Sequence, residues 1–131
     1  MYQVMVVDDE PMAASLIVNI IKRKYSNFDI MGTAYDGEEA LELMEEKGEP
    51  DVLITDIQMP VMNGLKLVEE TKKRFPEVIS VIVSGYQEFE YAKQAIAFGV
   101  CDYILKPIVP SEFSKLITRI EEKLRQKYYK E

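Results

Sequence analysis

The chain contains no histidine. That absence removes a histidine base, a histidine metal ligand and a phosphohistidine relay from its own chemistry. Cysteine occurs once, as Cys101, so no internal disulfide can form. Without a histidine to activate it that thiol is a poor nucleophile, and its apolar neighbour Val100 suggests a small residue at the edge of the core. No apolar run approaches the ~18–20 residues of a membrane-spanning helix. Asp8, Asp9 and Glu10 interrupt the apolar start too early for a signal peptide. Positive charge is the scarcer sign, with 16 Lys and Arg against 23 Asp and Glu and a net charge of −7, which argues against direct binding to nucleic acid. Repeats, low-complexity stretches and internal linkers are missing as well. These absences lead us to expect a cytoplasmic, single-domain protein that by itself contacts neither membrane nor DNA.

What is present is ordinary in bulk and particular in order. The 131 residues are 47% hydrophobic and 30% charged, a globular composition with enough chain for one real core. Val4–Val7 reads as a first buried strand, ending in Asp8-Asp9-Glu10-Pro11, where Pro11 suits the first turn of a helix. Ala13, Leu16, Ile17, Ile20 and Ile21 recur at helical spacing behind it, and Lys22, Arg23 and Lys24 suit a helix C-terminus. A second strand is predicted within Phe28–Tyr35, then a capping box at Asp36–Glu39 and a helix with Ala40, Leu41 and Met44 on its apolar side. Val52-Leu53-Ile54-Thr55-Asp56 is the central apolar run. Leu65, Val68 and Phe75 mark a third helix, Val78–Val83 a fourth strand, and Phe89, Ala92, Ala95 and Ile96 a fourth helix stopped by Gly99. Asp102–Leu105 is a short fifth strand. From Pro110 a last helix carries Phe113, Leu116, Ile117, Ile120 and Leu124 on one face. Gln126–Glu131 reads as a frayed end. Alternation of this kind predicts an α/β fold, a parallel sheet with helices on both faces.

In such a sheet every strand ends on the same edge, where open α/β folds build their sites. The residues at those ends are Asp8 and Asp9, Asp56, Ser84 and Lys106. Three carboxylates brought together repel one another, and a hard divalent cation such as magnesium relieves that repulsion. A carboxylate anchored by metal beside a hydroxyl and an ammonium suits phosphoryl transfer. The carboxylate attacks phosphorus while the cations stabilise the phosphoryl oxygens.

Asp8-Asp9, Asp56 followed by Met59-Pro60 and Asn63-Gly64, Ser84-Gly85, and Tyr103 three residues before Lys106-Pro107 together resemble the receiver domain of bacterial two-component response regulators. The resemblance covers residues 1–127, leaving 128–131 as a tail or the start of a linker. It implies a five-stranded sheet of order 2-1-3-4-5, flavodoxin-like, with helices on both faces. It makes Asp56 the phosphoacceptor, with Mg2+ bound by Asp9, Asp56 and the backbone carbonyl of Gln58, and by Asp8 through water. Lys106, preceding a cis bond to Pro107, would contact the phosphoryl group. Ser84 would move to hydrogen-bond it, and Tyr103 would change rotamer with Ser84. The partner implied is a histidine kinase. The chain would be a signalling switch that promotes its own phosphorylation and dephosphorylation, not an enzyme in the usual sense. Ser84-Gly85-Tyr86-Gln87-Glu88-Phe89-Glu90-Tyr91-Ala92 is most similar to receivers joined to an AraC-type helix-turn-helix output domain, which would bring DNA and transcription control through residues outside this chain.

Two other functions share parts of this pattern: a stand-alone phosphoryl carrier, and a metal-dependent phosphatase of the haloacid dehalogenase type. The latter needs a second acid two residues after its nucleophile, and that position is Gln58. A flavin-binding module of the same topology would need a hydroxyl- and glycine-rich loop after the first strand, and none follows Val7. The fourth predicted helix, the fifth strand and the last helix form a face with Lys93, Asp102, Lys115 and Arg119, a charge mixture suited to a homodimer across a two-fold axis.

Overall fold

A computed structural model of the chain describes residues 1–85, 97 and 99–128. Five strands, β1 (Tyr2–Val7), β2 (Phe28–Ala34), β3 (Val52–Thr55), β4 (Ile79–Ser84) and β5 (Asp102–Leu105), form one sheet in the order β2-β1-β3-β4-β5. Every neighbouring pair is parallel. The described helices are α1 (Pro11–Lys24), α2 (Gly37–Lys47), α3 (Gly64–Arg74) and α4 (Pro110–Tyr128). Fold class and strand order agree with expectation. The fourth helix predicted around Phe89–Ile96, and most of the segment that suggested an AraC-type output, lie outside the described residues.

Strand side chains alternate between two helix layers. Val4, Val6, Val52, Ile54, Val81 and Val83 point to the side covered by α1 and α4, where Phe113, Leu116, Ile117, Ile120 and Leu124 complete the larger core. Met5, Val7 and Leu53 point the other way, onto Ala40, Leu41 and Met44 of α2 and Leu67 of α3. β3 is therefore apolar on both faces, as its continuous run requires, and all four of its residues are buried. Each buried Val, Leu or Ile contributes roughly 1.5–3 kcal/mol of gross hydrophobic free energy, so the central strand is firmly anchored.

Local signals set the helix ends. Asp36 accepts the Glu39 N–H at the start of α2, and the Glu39 carboxylate reaches back one residue further than a capping box would, to the Tyr35 N–H. Gly48, at φ 98°, ends α2 in a backbone conformation that a side chain would strain.

Three expectations need correction. The buried stripe of α1 is Ala14, Ile17 and Ile21, whereas Leu16 is half exposed. Apolar residues on α1 outnumber the positions that can face the sheet, and Leu16 faces the cleft described below. Cys101 is exposed instead of lying at the core edge, because its backbone N–H pairs with Ser80 O in the connection before β5 and leaves the side chain outside. The last helix does not fray at Gln126 but continues to Tyr128, whose hydroxyl donates to Asp51.

Candidate functional site

Backbone pairing carries β1, β3 and β5 one residue past their regular ends, and so places polar residues at a common edge with Ser84, the last residue of β4. Asp8 N–H donates to Ala34 O (3.1 Å), Asp56 N–H to Val7 O (2.9 Å) and Lys106 N–H to Ser84 O (2.7 Å). The β3–α3 loop then folds back tightly. Gly64 N–H donates to Ile57 O at 2.7 Å, and a Cβ on Gly64 would lie 1.9 Å from Asp56 O. Only glycine can pass the Asp56 carbonyl that closely.

The side chains converge on Lys106. Its Nζ lies 3.1 Å from Asp8 Oδ2 and 3.3 Å from Asp56 Oδ2. The other oxygens of both carboxylates accept backbone hydrogen bonds, Asp8 Oδ1 from Glu10 N–H (2.9 Å) and Asp56 Oδ1 from Ile57 N–H (2.8 Å). Asp8 and Asp56 are buried, at 1% and 7% exposure. Burial pushes Asp56 up to about 6, and the charge of Asp8 adds to it. Lys106 and the Ile57 N–H pull the other way and lose. Burial draws Lys106 downward, but the charges of Asp56 and Asp8 outweigh it and hold Lys106 above the usual lysine range. The result is an ammonium locked in its charged form next to a carboxylate that titrates near neutrality.

A cleft of about 760 Å3 opens over Asp56 and Lys106, with Asp9, Glu10, Gln58 and Leu16 on its walls. Asp9 and Gln58 are exposed. Carboxylate oxygens of Asp8, Asp9 and Glu10 all lie within 4.8 Å of one another. Such an all-oxygen, anionic donor set fits a hard divalent cation such as Mg2+. Glu10 went unrecognised in the sequence, although the run Asp8-Asp9-Glu10 was its signal. Ser84 is buried at the end of β4, and its Oγ has no hydrogen-bond partner among the described residues. Tyr103 stands apart from the cleft, half-buried against Ile57, Leu65, Val68 and Ile82. The Lys106–Pro107 peptide bond is cis, as expected.

Residues 4–119 match the response regulator receiver domain family. The chain belongs to that family. Over 131 residues the receiver is 37% identical to the uncharacterized transcriptional regulatory protein YesN of Bacillus subtilis, covering 99% of this chain and 35% of the relative. It is 36% identical over 120 residues to the transcriptional regulatory protein HptR of Staphylococcus aureus, covering 92% of this chain and 46% of HptR. Among solved structures, the REC domain of AraT, a response regulator from Geobacillus stearothermophilus, superposes with a TM-score of 0.88 at 36% identity, covering 96% of this chain and 97% of that one. The receiver thus spans about a third to a half of the length of these curated relatives.

Proposed function

We propose that this receiver accepts a phosphoryl group on Asp56 from a histidine kinase, in a magnesium-dependent reaction, and thereby switches its surface to control transcription. The observation that supports this most is the position of Lys106 Nζ between Asp8 Oδ2 and Asp56 Oδ2. A structural lysine would sit in solvent or on one partner, whereas this one is placed to meet charge arriving at Asp56. At neutral pH a carboxylate titrating at about 6 is mostly ionised, and it is a better nucleophile than an ordinary aspartate. Asp56 attacks phosphorus, the new O–P bond forms as the P–N bond of the donor phosphoimidazole breaks, and that electron pair returns to the imidazole nitrogen. Lys106 then shifts from carboxylate to phosphoryl oxygen without changing protonation state. Mg2+, held by Asp9, Asp56, the Gln58 carbonyl and Asp8 through water, would supply further neutralisation of the phosphoryl oxygens. Ser84 Oγ, which has no hydrogen-bond partner among the described residues, donates to the phosphoryl group once Asp56 carries it, and Tyr103 follows into the space released.

Asp56 now bears about −1.5 to −2 charges by analogy with other phosphorylated side chains, enough to bias a two-state surface. We assign residues 1–127 to the receiver and 128–131 to a tail or linker, with an AraC-type helix-turn-helix output in the full protein. We place it in the cytoplasm. No helix among the described residues is long and apolar enough to cross a membrane. We further propose a phosphorylation-favoured homodimer through the fourth predicted helix, β5 and α4. Asp102 is already paired with Arg119 within one chain, so dimerisation would exchange that pair across the interface. Beryllofluoride-loaded protein sedimenting as a monomer at ~100 μM, where association of about −6 kcal/mol would show, would exclude the dimer.

The central reading is tested by intact mass after incubation with acetyl phosphate and magnesium. The wild-type chain should gain one phosphoryl group and Asp56→Ala none. Labelling of Asp56→Ala at the wild-type rate would overturn it.

A further inference from the structure

Glu10 occupies the N-cap position of α1, yet its side chain makes no capping hydrogen bond. The N-cap residues of α2 and α3, Asp36 and Asn63, both accept a backbone N–H from their own first turn. Glutamate is also a weaker choice for that position than serine, threonine, aspartate or asparagine. The Glu10 carboxylate instead lies within 4.8 Å of those of Asp8 and Asp9, on the wall of the cleft that also holds Asp56 and Gln58. Its backbone N–H bonds Asp8 Oδ1, so the position of Glu10 is tied directly to the most buried acid of the site. Lys106 is taken up by Asp8 and Asp56, and no other lysine or arginine among the described residues pairs with Asp9 or Glu10. Without a cation this places like charges side by side and forgoes a helix cap.

We propose that Glu10 is a further carboxylate of the divalent-cation site, strengthening the hold on the ion beyond what Asp8, Asp9 and Asp56 supply. This rests on the reading of those three aspartates as that site. Glu10 is a positioning and charge-supplying residue and takes no part in bond making at phosphorus. Its position on the cleft wall, with an exposed side chain, suits contact with the ion through a water of its shell.

The test uses Mn2+ as the probe, read from the electron paramagnetic resonance signal of the free aquo ion, with Mg2+ added as competitor. Four proteins are compared: wild type, Glu10→Gln, Asp9→Asn and Glu46→Gln. Glu46 is exposed on the last turn of α2, so its variant removes the same charge away from the cleft. Glu10→Gln should raise the Kd for Mn2+ and Mg2+ roughly three- to tenfold, the size expected for one partly screened charge ~5 Å from the ion. Glu46→Gln should leave it unchanged. The metal-free melting temperature of Glu10→Gln should stay level or rise, because a repulsion is removed. A merely structural role would lower stability and affinity together, and that result would overturn the proposal. So would an unchanged Kd in Glu10→Gln beside a large loss in Asp9→Asn, which leaves the aspartate site standing. Equal losses in Glu10→Gln and Glu46→Gln would overturn it as a general charge effect. Failure of the wild-type chain to bind Mn2+ at all would remove the underlying reading itself.

Discussion

β3 has an aspartate at each end, and the two could hardly be treated more differently. Asp51, just before the strand, has both carboxylate oxygens occupied, Oδ2 by the Gln3 N–H at 2.7 Å and Oδ1 by the Tyr128 hydroxyl. Its own backbone bonds Gln3 O and the Ile79 N–H, so it joins β1, β3, β4 and the end of α4 at one point. Its side-chain partners are neutral donors: hydrogen bonding to Asp51, with some burial, pushes the Tyr128 hydroxyl up to about 12. Asp56, after the strand, shares its cationic partner Lys106 with Asp8 and is buried beside that second carboxylate. One edge of the sheet satisfies its acid, and the other holds its acid in an environment that disfavours its charge. Perturbation of this kind concentrates at reactive sites, whereas satisfied polar groups hold structure together.

Exchanging the two roles by mutation should give opposite phenotypes. Asp56→Asn should lose all phosphoryl incorporation from acetyl phosphate while remaining folded. Asp51→Ala should still be labelled, but should lose about 1–3 kcal/mol in urea unfolding, since the Gln3 N–H and the Tyr128 hydroxyl lose their acceptor. Labelling lost in Asp51→Ala with stability intact would break the comparison.

A second contrast lies in pH dependence, measured without metal. The folded Asp56 titrates at about 6 against an ordinary 3.8, so the folded state holds this proton more tightly than the unfolded one. Its favourable contribution is complete below pH 3.8 and is lost as pH rises through about 6. That interval corresponds to about 3 kcal/mol at full size. Wild type minus Asp56→Asn should therefore show stability falling between pH 4 and 7, by urea titration at each pH. A flat difference would mean the site does not resist ionisation.

Magnesium should act on one edge only. At ten times its Kd it should stabilise the wild-type fold by roughly 1.4 kcal/mol, seen as a raised melting temperature. Asp9→Asn should blunt this response and Tyr128→Phe should leave it whole. The smallest effect expected is that of Tyr128→Phe itself. Loss of one half-exposed hydrogen bond should cost about 1 kcal/mol, with faster amide exchange confined to the last turns of α4. Exchange speeding up around Asp56 instead would show that the two edges are coupled.

Sequence alone was enough for the alternation of strands and helices, for Asp56 at the end of a doubly buried strand, and for Asp36 as a helix start. It also yielded Asp8, Asp9, Ser84 and Lys106 as strand-end residues. These are local matters: an apolar run, a cap or a turn residue declares itself within a few neighbours. The strand order came only through family resemblance, because pairing partners leave little trace in a single chain. Tertiary structure alone decided that Lys106 Nζ lies within 3.3 Å of both Asp8 and Asp56, across 98 and 50 residues of chain. It decided that Leu16 is half exposed on the cleft wall while Ile17 is buried in the core, a matter of helix rotation that an apolar-rich helix does not specify. It also turned Glu10 away from capping, and it made Asp51 a hub where the sequence shows only one more acid after Pro50. In each case the deciding quantity is a distance or a burial between residues remote in the chain, and those exist only once the sheet has brought its edges together.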